Sequence, residues 1–201
     1  IFNLILILLW KTNNYMKNLV LFASGGGSSV ENIAKFFQDE KKINIAAIYC
    51  NNPNAGLFKR NFLNQFKIRV FNIDELIGGL VLDELTDLEP DLIVLAGFLK
   101  KVPKEIISNF SNKIVNIHPS LLPKYGGKGM YGINVHKAVL KNNEKSSGFT
   151  IHYVTEEYDE GNIIFQKAFE IDVKNPEELS KKILVQEHKY YPKIIKQILN
   201  V

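Results

Sequence analysis

Two polar side chains with a spacing suited to catalysis lie in the middle of the chain. Asn116 and His118 are two residues apart in NIHPSLLP, at the end of an apolar run. Residues two apart on a strand project from the same face of a sheet. An amide can hold a developing oxyanion, and an imidazole can give or take a proton. The pair suits acyl transfer, although a lone Asn-x-His is more often an ordinary polar loop edge.

An acidic turn later in the chain supplies a candidate partner for the histidine. Asp159 lies in TEEYDEG, residues 155–161. A carboxylate near His118 would orient the imidazole and raise its pKa by stabilising the charged form. Taken alone, such a turn is more often simply solvated. If Asp159 does approach His118, we expect the pKa of the histidine to be raised.

A glycine-rich turn predicts an anion site. SGGGSS, residues 24–29, follows an apolar run and precedes a helical pattern. Free backbone N–H groups and the helix dipole favour a phosphate at such a turn. No Gly-Lys-Ser/Thr follows as in a Walker loop, and Val30 stands where a dinucleotide fingerprint has its third glycine. The turn predicts a monophosphate site, and a flexible turn without ligand is the plainer alternative.

Short apolar runs alternate with helical patterns from Met16 onward, and this order positions the polar residues. Strands are predicted at residues 19–23, 43–49, 68–71, 91–97 and 114–117. Helices are predicted near residues 28–37, 55–65, 74–88, 103–110 and 134–141, with Ser28 and Glu31 in capping-box spacing and Gly78-Gly79 interrupting the third helix. The order predicts one doubly wound α/β domain, whose mostly parallel sheet binds ligands at its carboxyl edge.

The C-terminal part of the chain departs from this alternation. Residues 118–132 hold two prolines and four glycines, and a long irregular loop inside a compact domain is usually functional. The runs 147–155 and 162–171 resemble an antiparallel hairpin. Asn175 and Pro176 are typical of a helix start, and we expect that helix to run to about the last residue.

The composition narrows the classes of partner. The chain has 201 residues, 46% hydrophobic and 23% charged, which is typical of a soluble globular protein. A net charge of +4 without clustered Lys and Arg fits anionic small molecules better than nucleic acid. Cys50 is the single cysteine, which excludes an internal disulfide and favours a reducing cytoplasm. We expect no nucleic-acid or membrane partner, and a monomer or weak homodimer.

The first ten residues, IFNLILILLW, are apolar except for Asn3. Ten helical residues at about 1.5 Å each do not span a bilayer core of about 30 Å. The basic start and small-residue cleavage site of a secretory signal are both missing. We interpret residues 1–15 as an extension outside the fold and residues 16–201 as the working domain. A membrane-surface anchor is the alternative, and it lacks the usual basic amphipathic face.

Four segments, in their order and spacing, resemble the phosphoribosylglycinamide formyltransferases, folate-dependent enzymes of purine synthesis. They are ASGGGSS, LAGFLKKVP, NIHPSLLPKYGG and TEEYDEG. The resemblance extends from Met16 to the last residue. It implies a Rossmann-like formyltransferase fold. It also implies metal-free transfer of a formyl group from 10-formyltetrahydrofolate to the amine of glycinamide ribonucleotide, with Asn116, His118 and Asp159 as the catalytic residues.

The same resemblance assigns binding residues to both substrates. The positions that match the ribonucleotide site, with Glu187 at the ribose, are Gly26, Gly27, Ser28, Ser29 and Glu187. The positions that match the folate site, with Asn116 at the formyl group and Val154 in the pterin pocket, are Leu99, Lys100, Lys101, Val102, Asn116 and Val154.

Some positions depart from the family pattern. Ser29 stands where the family often has Asn, and Lys100 where many members have Arg, which keeps the charge but loses the bidentate fork. The stretch after Tyr125 is longer than the common form. These departures concern ligand binding more than the reaction.

Other functions remain open beside formyl transfer to the ribonucleotide. Relatives of a formyltetrahydrofolate hydrolase carry an extra N-terminal regulatory domain, which residues 1–15 do not supply. A transferase acting on initiator methionyl-tRNA would need a C-terminal domain and a basic surface. Val30 and Asn51-Asn52 disfavour a nicotinamide oxidoreductase. A non-catalytic nucleotide-phosphate-binding module would not need the amide, imidazole and carboxylate together.

Overall fold

A computed structural model describes residues 15–201, in which one seven-stranded sheet is flanked by helices. The strands, numbered along the chain, are β1 (Lys17–Ala23), β2 (Ile43–Cys50), β3 (Ile68–Val70), β4 (Leu92–Leu95), β5 (Ile114–His118), β6 (Ser146–Tyr153) and β7 (Ile163–Glu170). Their order across the sheet is β3-β2-β1-β4-β5-β6-β7. β1 to β5 are parallel, whereas β6 and β7 are antiparallel to their neighbours. The predicted doubly wound sheet with an antiparallel hairpin is confirmed.

Helices connect the strands on both faces. They are α1 (Ser28–Phe37), α2 (Ile73–Ile77), α3 (Leu80–Leu88), α4 (Lys104–Asn109), α5 (Ile133–Lys141) and α6 (Pro176–Leu199). As predicted, Asn175 caps α6, because its Oδ1 accepts hydrogen bonds from the N–H groups of Glu177 at 2.8 Å and Glu178 at 3.3 Å. Within residues 15–201, no helix is long and apolar enough to cross a membrane.

The core has two layers because β1 is buried on both faces. Leu19 and Leu21 face the layer that contains α1, α5 and α6. Val20 and Phe22 face the opposite layer, where the Phe22 ring stacks on Tyr49 at a centroid distance of 4.9 Å. A continuous apolar run is what a central parallel strand requires, since both of its faces pack against helices. The layers hold the carboxyl ends of β1, β4 and β5 in fixed positions.

The helix predicted over residues 55–65 is wrong. Two short 3₁₀ turns, Gly56–Lys59 and Asn61–Gln65, replace it. Arg60 separates them with an extended backbone, φ −96° and ψ 95°, and its side chain donates hydrogen bonds to the Gly26 carbonyl and to Glu31. Periodicity favours a continuous helix, but these tertiary contacts coincide with a break at Arg60.

The predicted capping box at the start of α1 is also wrong. Gly27 is the N-cap residue, in the left-handed conformation and without a side-chain cap. The Glu31 carboxylate is engaged elsewhere, with Lys35 and Arg60. The long helix predicted over residues 74–88 is divided into α2 and α3 at the Gly78-Gly79 pair noted in the sequence.

The extension predicted at the start of the chain lies almost entirely outside the described residues. Residues 1–14 are not described, and β1 begins at Lys17. The Lys17 ammonium lies 5.1 Å from the centroid of the exposed Tyr15 ring. The interpretation of residues 1–15 as lying outside the fold therefore stays a prediction.

Tyr191 fixes α6 against the sheet and gives a test of this packing. Its buried hydroxyl lies 3.1 Å from the Leu95 carbonyl and 3.3 Å from the Val115 carbonyl. We expect Tyr191→Phe to lower the free energy of unfolding by about 1–2 kcal/mol, since a buried hydrogen bond is lost. Urea denaturation measures the effect. Tyr190→Phe, in which the ring stacking on Phe165 is kept, is the matched control, and equal midpoints for the two variants would contradict this role.

Candidate active site

β5 delivers Asn116 and His118 to one cavity, as their spacing predicts. The cavity has a volume of about 450 Å³ and is lined by both side chains, within the size range usual for small-molecule sites. His118 is the last residue of β5 and is only 4% exposed, while Asn116 is partly exposed. The cavity therefore lies at the carboxyl edge of the parallel strands, where open α/β sheets bind ligands.

Both ring nitrogens of His118 face hydrogen-bond acceptors. Nε2 lies 2.7 Å from the carbonyl oxygen of Tyr125. Because a carbonyl only accepts, Nε2 carries a proton and donates it. Nδ1 lies 3.4 Å from Oδ2 of Asp159. A second proton on the ring would thus be held between the imidazole and the carboxylate.

The pKa of His118 is lowered, opposite to the predicted direction. Burial is the largest influence and lowers it, the Asp159 charge and the Tyr125 carbonyl raise it, and the neighbouring His152 lowers it slightly. The predicted effect of the carboxylate is present, but the loss of hydration outweighs it. Without a ligand, the imidazole is therefore mainly neutral at pH 7. If it is protonated, the Tyr125 carbonyl and the Asp159 carboxylate face its two N–H groups.

Asp159 is held as an ionised carboxylate. Burial alone would raise its pKa, but His152, the charge of His118 and the Gly127 N–H together hold the pKa below its usual value. The Gly127 N–H donates to Oδ2 at 2.9 Å, and His152 Nε2 lies 3.6 Å from Oδ1. The residue has a left-handed backbone with φ 59°, which Asp tolerates better than most residues. This conformation belongs to the turn that brings the carboxylate to His118.

The glycine-rich turn presents unpaired N–H groups. Within the described part of the chain, the N–H groups of Gly27, Ser28 and Ser29 have no hydrogen-bond partner. Gly27 has φ 70°, and a Cβ there would lie 2.9 Å from the Cα of Leu57, so glycine is required. Ser29 lines the cavity, whereas Gly26, Gly27 and Ser28 lie outside its lining. The turn thus has free N–H groups at a helix start, the geometry that anion sites use, and Ser29 joins it to the cavity.

The segment after β4 forms another wall of the same cavity. The lining includes all of the residues predicted to border the folate, namely Leu99, Lys100, Lys101, Val102, Asn116 and Val154. The Leu99 N–H donates to Ser24 Oγ at 2.9 Å, and this hydroxyl donates to Asn51 Oδ1 at 2.6 Å. Ser24 begins the glycine-rich turn, so one hydroxyl joins the two predicted substrate segments.

Glu187 contributes a buried carboxyl from α6. It is 9% exposed and lines the cavity together with Ser29. Burial raises its pKa to about 7, and no side chain in the described part of the chain forms a salt bridge with it. A buried carboxyl without a cation suits hydrogen bonding to hydroxyl groups of a ligand.

A comparison with known proteins agrees with this arrangement. The model of the family described as Formyl transferase matches residues 17–195, which contain the whole sheet and every residue of the cavity named above. The chain belongs to the formyl transferase family.

This chain is similar to individual proteins of the family over most of its length. It is 39% identical over 187 residues to the chloroplastic phosphoribosylglycinamide formyltransferase of Arabidopsis thaliana, covering 89% of this chain and 64% of that protein. It is 34% identical to the phosphoribosylglycinamide formyltransferase of Bacillus subtilis, covering 92% and 96%. The structure of glycinamide ribonucleotide transformylase 1 from Geobacillus kaustophilus matches with a TM-score of 0.82 at 30% identity, covering 92% of this chain and all of that one. The predicted resemblance is confirmed.

Two histidines of the formyl transferase site were not predicted from the sequence. His152 pairs with Asn116 across β5 and β6, and its Nε2 lies 3.3 Å from Asn116 Nδ2. His152 Nδ1 lies 2.9 Å from the Tyr153 carbonyl and therefore donates, and in the neutral ring Nε2 accepts from the amide. In this state one amide hydrogen of Asn116 is fixed and the other is left for a ligand, whereas in the protonated ring Nε2 donates toward Oδ1 of Asp159. The contact between His152 and Asn116 depends on the register of β5 and β6, which the spacing of residues along the chain does not reveal.

His136 is the second unpredicted histidine of this formyl transferase site. It is 2% exposed and lines the cavity, and its Nδ1 has no hydrogen-bond partner among the described residues. Burial, and to a smaller extent the charge of His118, lower its pKa to about 4, so it is neutral near pH 7. Within residues 15–201, no group of three or more His, Cys, Asp or Glu side chains could hold a metal ion.

The opposing influences on His118 give a direct test in this formyl transferase. Asp159→Asn removes the charge that raises the pKa of His118, so we expect that pKa to fall further. Histidine titration by NMR measures it, with the His118 signal assigned from its loss in His118→Gln. Asp172→Asn, which removes an exposed carboxylate paired with Lys182, should leave the titration unchanged. An unchanged pKa in Asp159→Asn would show that the two side chains do not interact in solution.

Proposed function

We propose that this protein transfers the formyl group of 10-formyltetrahydrofolate to the amine of glycinamide ribonucleotide, a step of purine biosynthesis. The observation that carries the proposal is the cluster of Asn116, His118 and Asp159 in one cavity, with 3.4 Å between the imidazole and the carboxylate. The names of the relatives, which share the formyl transferase family, support it. The chain spans 64% of the Arabidopsis relative and 96% of the Bacillus relative.

The ribonucleotide binds at the end of the cavity bordered by the glycine-rich turn and α6. Its phosphate accepts hydrogen bonds from the N–H groups of Gly27, Ser28 and Ser29, and the positive end of α1 adds a favourable field. Gly26 provides the close approach of the backbone that such a turn needs. Glu187 accepts hydrogen bonds from the ribose hydroxyls. This orientation directs the glycinamide amine toward Asn116.

The folate binds along the opposite wall. Leu99 to Val102 border the folate, and Val154 contributes to an apolar pocket for the pterin ring. Lys100 and Lys101 supply positive charge for the anionic folate tail, although Lys100 offers a single ammonium where a guanidinium would offer a fork. The formyl carbonyl then lies beside Asn116 and His118.

The reaction proceeds by direct attack. The amine nitrogen forms a bond to the formyl carbon, and the carbonyl electrons move to oxygen, giving a tetrahedral oxyanion. The free amide hydrogen of Asn116 donates to this oxygen. The bond between the formyl carbon and the folate nitrogen then breaks, and a proton from the attacking amine reaches that nitrogen by way of water. The products are the formylated ribonucleotide and tetrahydrofolate.

His118 stabilises the negative charge by becoming charged itself. Burial keeps its pKa low before the reaction, and an oxyanion at the site adds a negative charge that raises the pKa. The imidazole therefore takes up the proton that the attacking amine loses as the intermediate forms, and Asp159 stabilises the resulting imidazolium. The imidazolium then releases this proton through water to the folate nitrogen as that nitrogen leaves. A neutral starting imidazole also avoids holding a buried charge before the substrates arrive.

We also propose the remaining features predicted from the sequence. The working domain is residues 16–201, with residues 1–15 outside it. The protein acts on free small molecules in the cytoplasm as a monomer or weak homodimer, without a nucleic-acid or membrane partner. A formyltetrahydrofolate hydrolase and a non-catalytic nucleotide-phosphate-binding module are the alternative functions.

A transfer assay separates these functions. We expect folate product to appear from 10-formyltetrahydrofolate only when glycinamide ribonucleotide is present, because the amine is the nucleophile. His118→Ala and Asp159→Ala should each lower kcat by about 10²–10³, the loss typical of a removed oxyanion stabiliser. Absorbance of the folate product measures both effects, with Asp172→Asn as a control of unchanged activity. Equal release without ribonucleotide indicates a hydrolase, and no release in either case supports the binding module.

The buried carboxyl on α6 predicts a pH-dependent affinity for the ribonucleotide. The pKa of Glu187 is about 7, so the carboxyl is mainly protonated below that pH and accepts ribose hydrogen bonds best above it. We expect the KM for the ribonucleotide to fall between about pH 6 and 8, and Glu187→Gln to raise KM about tenfold and weaken this dependence.

Glu178→Gln, on the exposed part of the same helix, is the matched control for Glu187→Gln. The substrate phosphate also titrates, with a second pKa near 6. This titration affects KM equally in both variants, so a difference between their pH profiles comes from Glu187. Identical pH profiles of KM in the two variants would exclude Glu187 from ribose binding.

A further inference from the structure

Arg60 lies against the glycine-rich turn although it is distant from it in sequence. Its Nε donates a hydrogen bond to the Gly26 carbonyl, and its Nη1 donates to Glu31 in the first turn of α1. The guanidinium is thereby bonded to both parts of the predicted anion site, the turn and the helix. Arg60 lies outside the four segments that carry the family resemblance.

The backbone around Arg60 is built onto the same turn. The Leu57 N–H donates to the Gly25 carbonyl at 3.1 Å. A Cβ on Gly56 would lie 3.2 Å from the Cα of Gly26, so the two backbones are in close contact. The break between the two 3₁₀ turns occurs at Arg60. This segment therefore supports the glycine-rich turn from the side, and Arg60 makes the charged contact.

The geometry of one peptide unit links this contact to anion binding. The Gly26 carbonyl and the Gly27 N–H belong to the same planar trans peptide, so they point in opposite directions. When Arg60 holds the carbonyl on one side, the N–H is directed to the other, where it is without a partner among the described residues. A glycine peptide is otherwise free to rotate, because neither neighbour has a side chain to restrict it.

The charges near the turn favour an anion. Arg60 and Lys35 both contact Glu31, so two positive groups surround one carboxylate. On the other side, His188 Nε2 lies 3.4 Å from Ser29 Oγ. Burial, and then the positive charge of Arg60, lower the pKa of this histidine.

We propose that Arg60 is a positioning residue of the phosphate site, which holds the Gly26 carbonyl and thereby directs the Gly27 N–H to the phosphate of the ribonucleotide. The proposal rests on the proposed function, because it takes the phosphate-bearing substrate from there. It adds a residue that determines preference for a phosphorylated over an unphosphorylated ligand.

Comparison of two substrates tests this role. With Arg60→Ala, we expect the KM for glycinamide ribonucleotide to rise on the order of ten- to a hundredfold, the loss of a charge-assisted hydrogen bond. The kcat and the KM for the folate should stay within about threefold. For the unphosphorylated glycinamide ribonucleoside, kcat/KM should be unchanged, because that compound does not use the turn. Equal losses with both compounds would overturn the proposal and indicate general damage to the fold.

Two further variants separate geometry from charge. Arg60→Lys keeps one donor for the Gly26 carbonyl and should recover part of the ribonucleotide affinity. Lys35→Ala removes the other cation on Glu31 without touching the turn, so its KM should change less than about twofold. A loss in Lys35→Ala as large as that in Arg60→Ala would overturn the positioning role in favour of net charge alone. If Arg60→Ala does not fold, Arg60→Gln takes its place in the comparison.

Measuring phosphate binding tests the role of Arg60 separately from the proposed transferase activity. Calorimetric titration with inorganic phosphate needs no catalysis. Weaker phosphate binding by Arg60→Ala than by the wild type supports the role of Arg60 even if no formyl transfer is detected. Equal phosphate affinity together with an unchanged KM for the ribonucleotide would overturn it while leaving the transferase proposal intact.

Discussion

The pairing of a buried imidazole with a largely buried carboxylate is the interaction on which the site depends. The side chains of His118 and Asp159 are 4% and 11% exposed, and groups so far removed from water need each other's charge or hydrogen bonds to be stable. β5 supplies the imidazole, and the turn between β6 and β7 supplies the carboxylate. The Tyr125 carbonyl and the Gly127 N–H complete the contacts from the long loop. Three segments must therefore fold together before the pair exists.

The same burial makes the pair responsive to charge. Loss of hydration lowers the pKa of His118, while the neighbouring carboxylate raises it, so the protonation state depends on two opposing effects. A further negative charge in the cavity shifts that balance toward the imidazolium. An exposed histidine would respond less, because water would screen the new charge. In the proposed reaction, the closed environment therefore links the charge that develops on the formyl oxygen to proton uptake by His118.

The two ends of the cavity are structurally connected. The Ser24 hydroxyl accepts from the Leu99 N–H and donates to Asn51, so the start of the glycine-rich turn is joined to the segment after β4. The Tyr191 hydroxyl ties α6, which carries Glu187, to Leu95 of β4 and Val115 of β5. These few hydrogen bonds hold two walls of the cavity at a fixed separation, as the proposed direct transfer between two bound molecules requires.

The sequence by itself determined the α/β order and the hairpin, because periodicity and glycine content are local properties of the chain, and its resemblance to the family singled out Asn116, His118 and Asp159, which the structure brings to one cavity. Tertiary structure decided the rest. Residues 55–65 have a helical pattern, yet the chain breaks at Arg60, whose bonds reach a turn over 30 residues away in sequence. His152 meets Asn116 only through the register of β5 and β6. The direction of the pKa shift of His118 depends on burial by several segments, which no local spacing encodes.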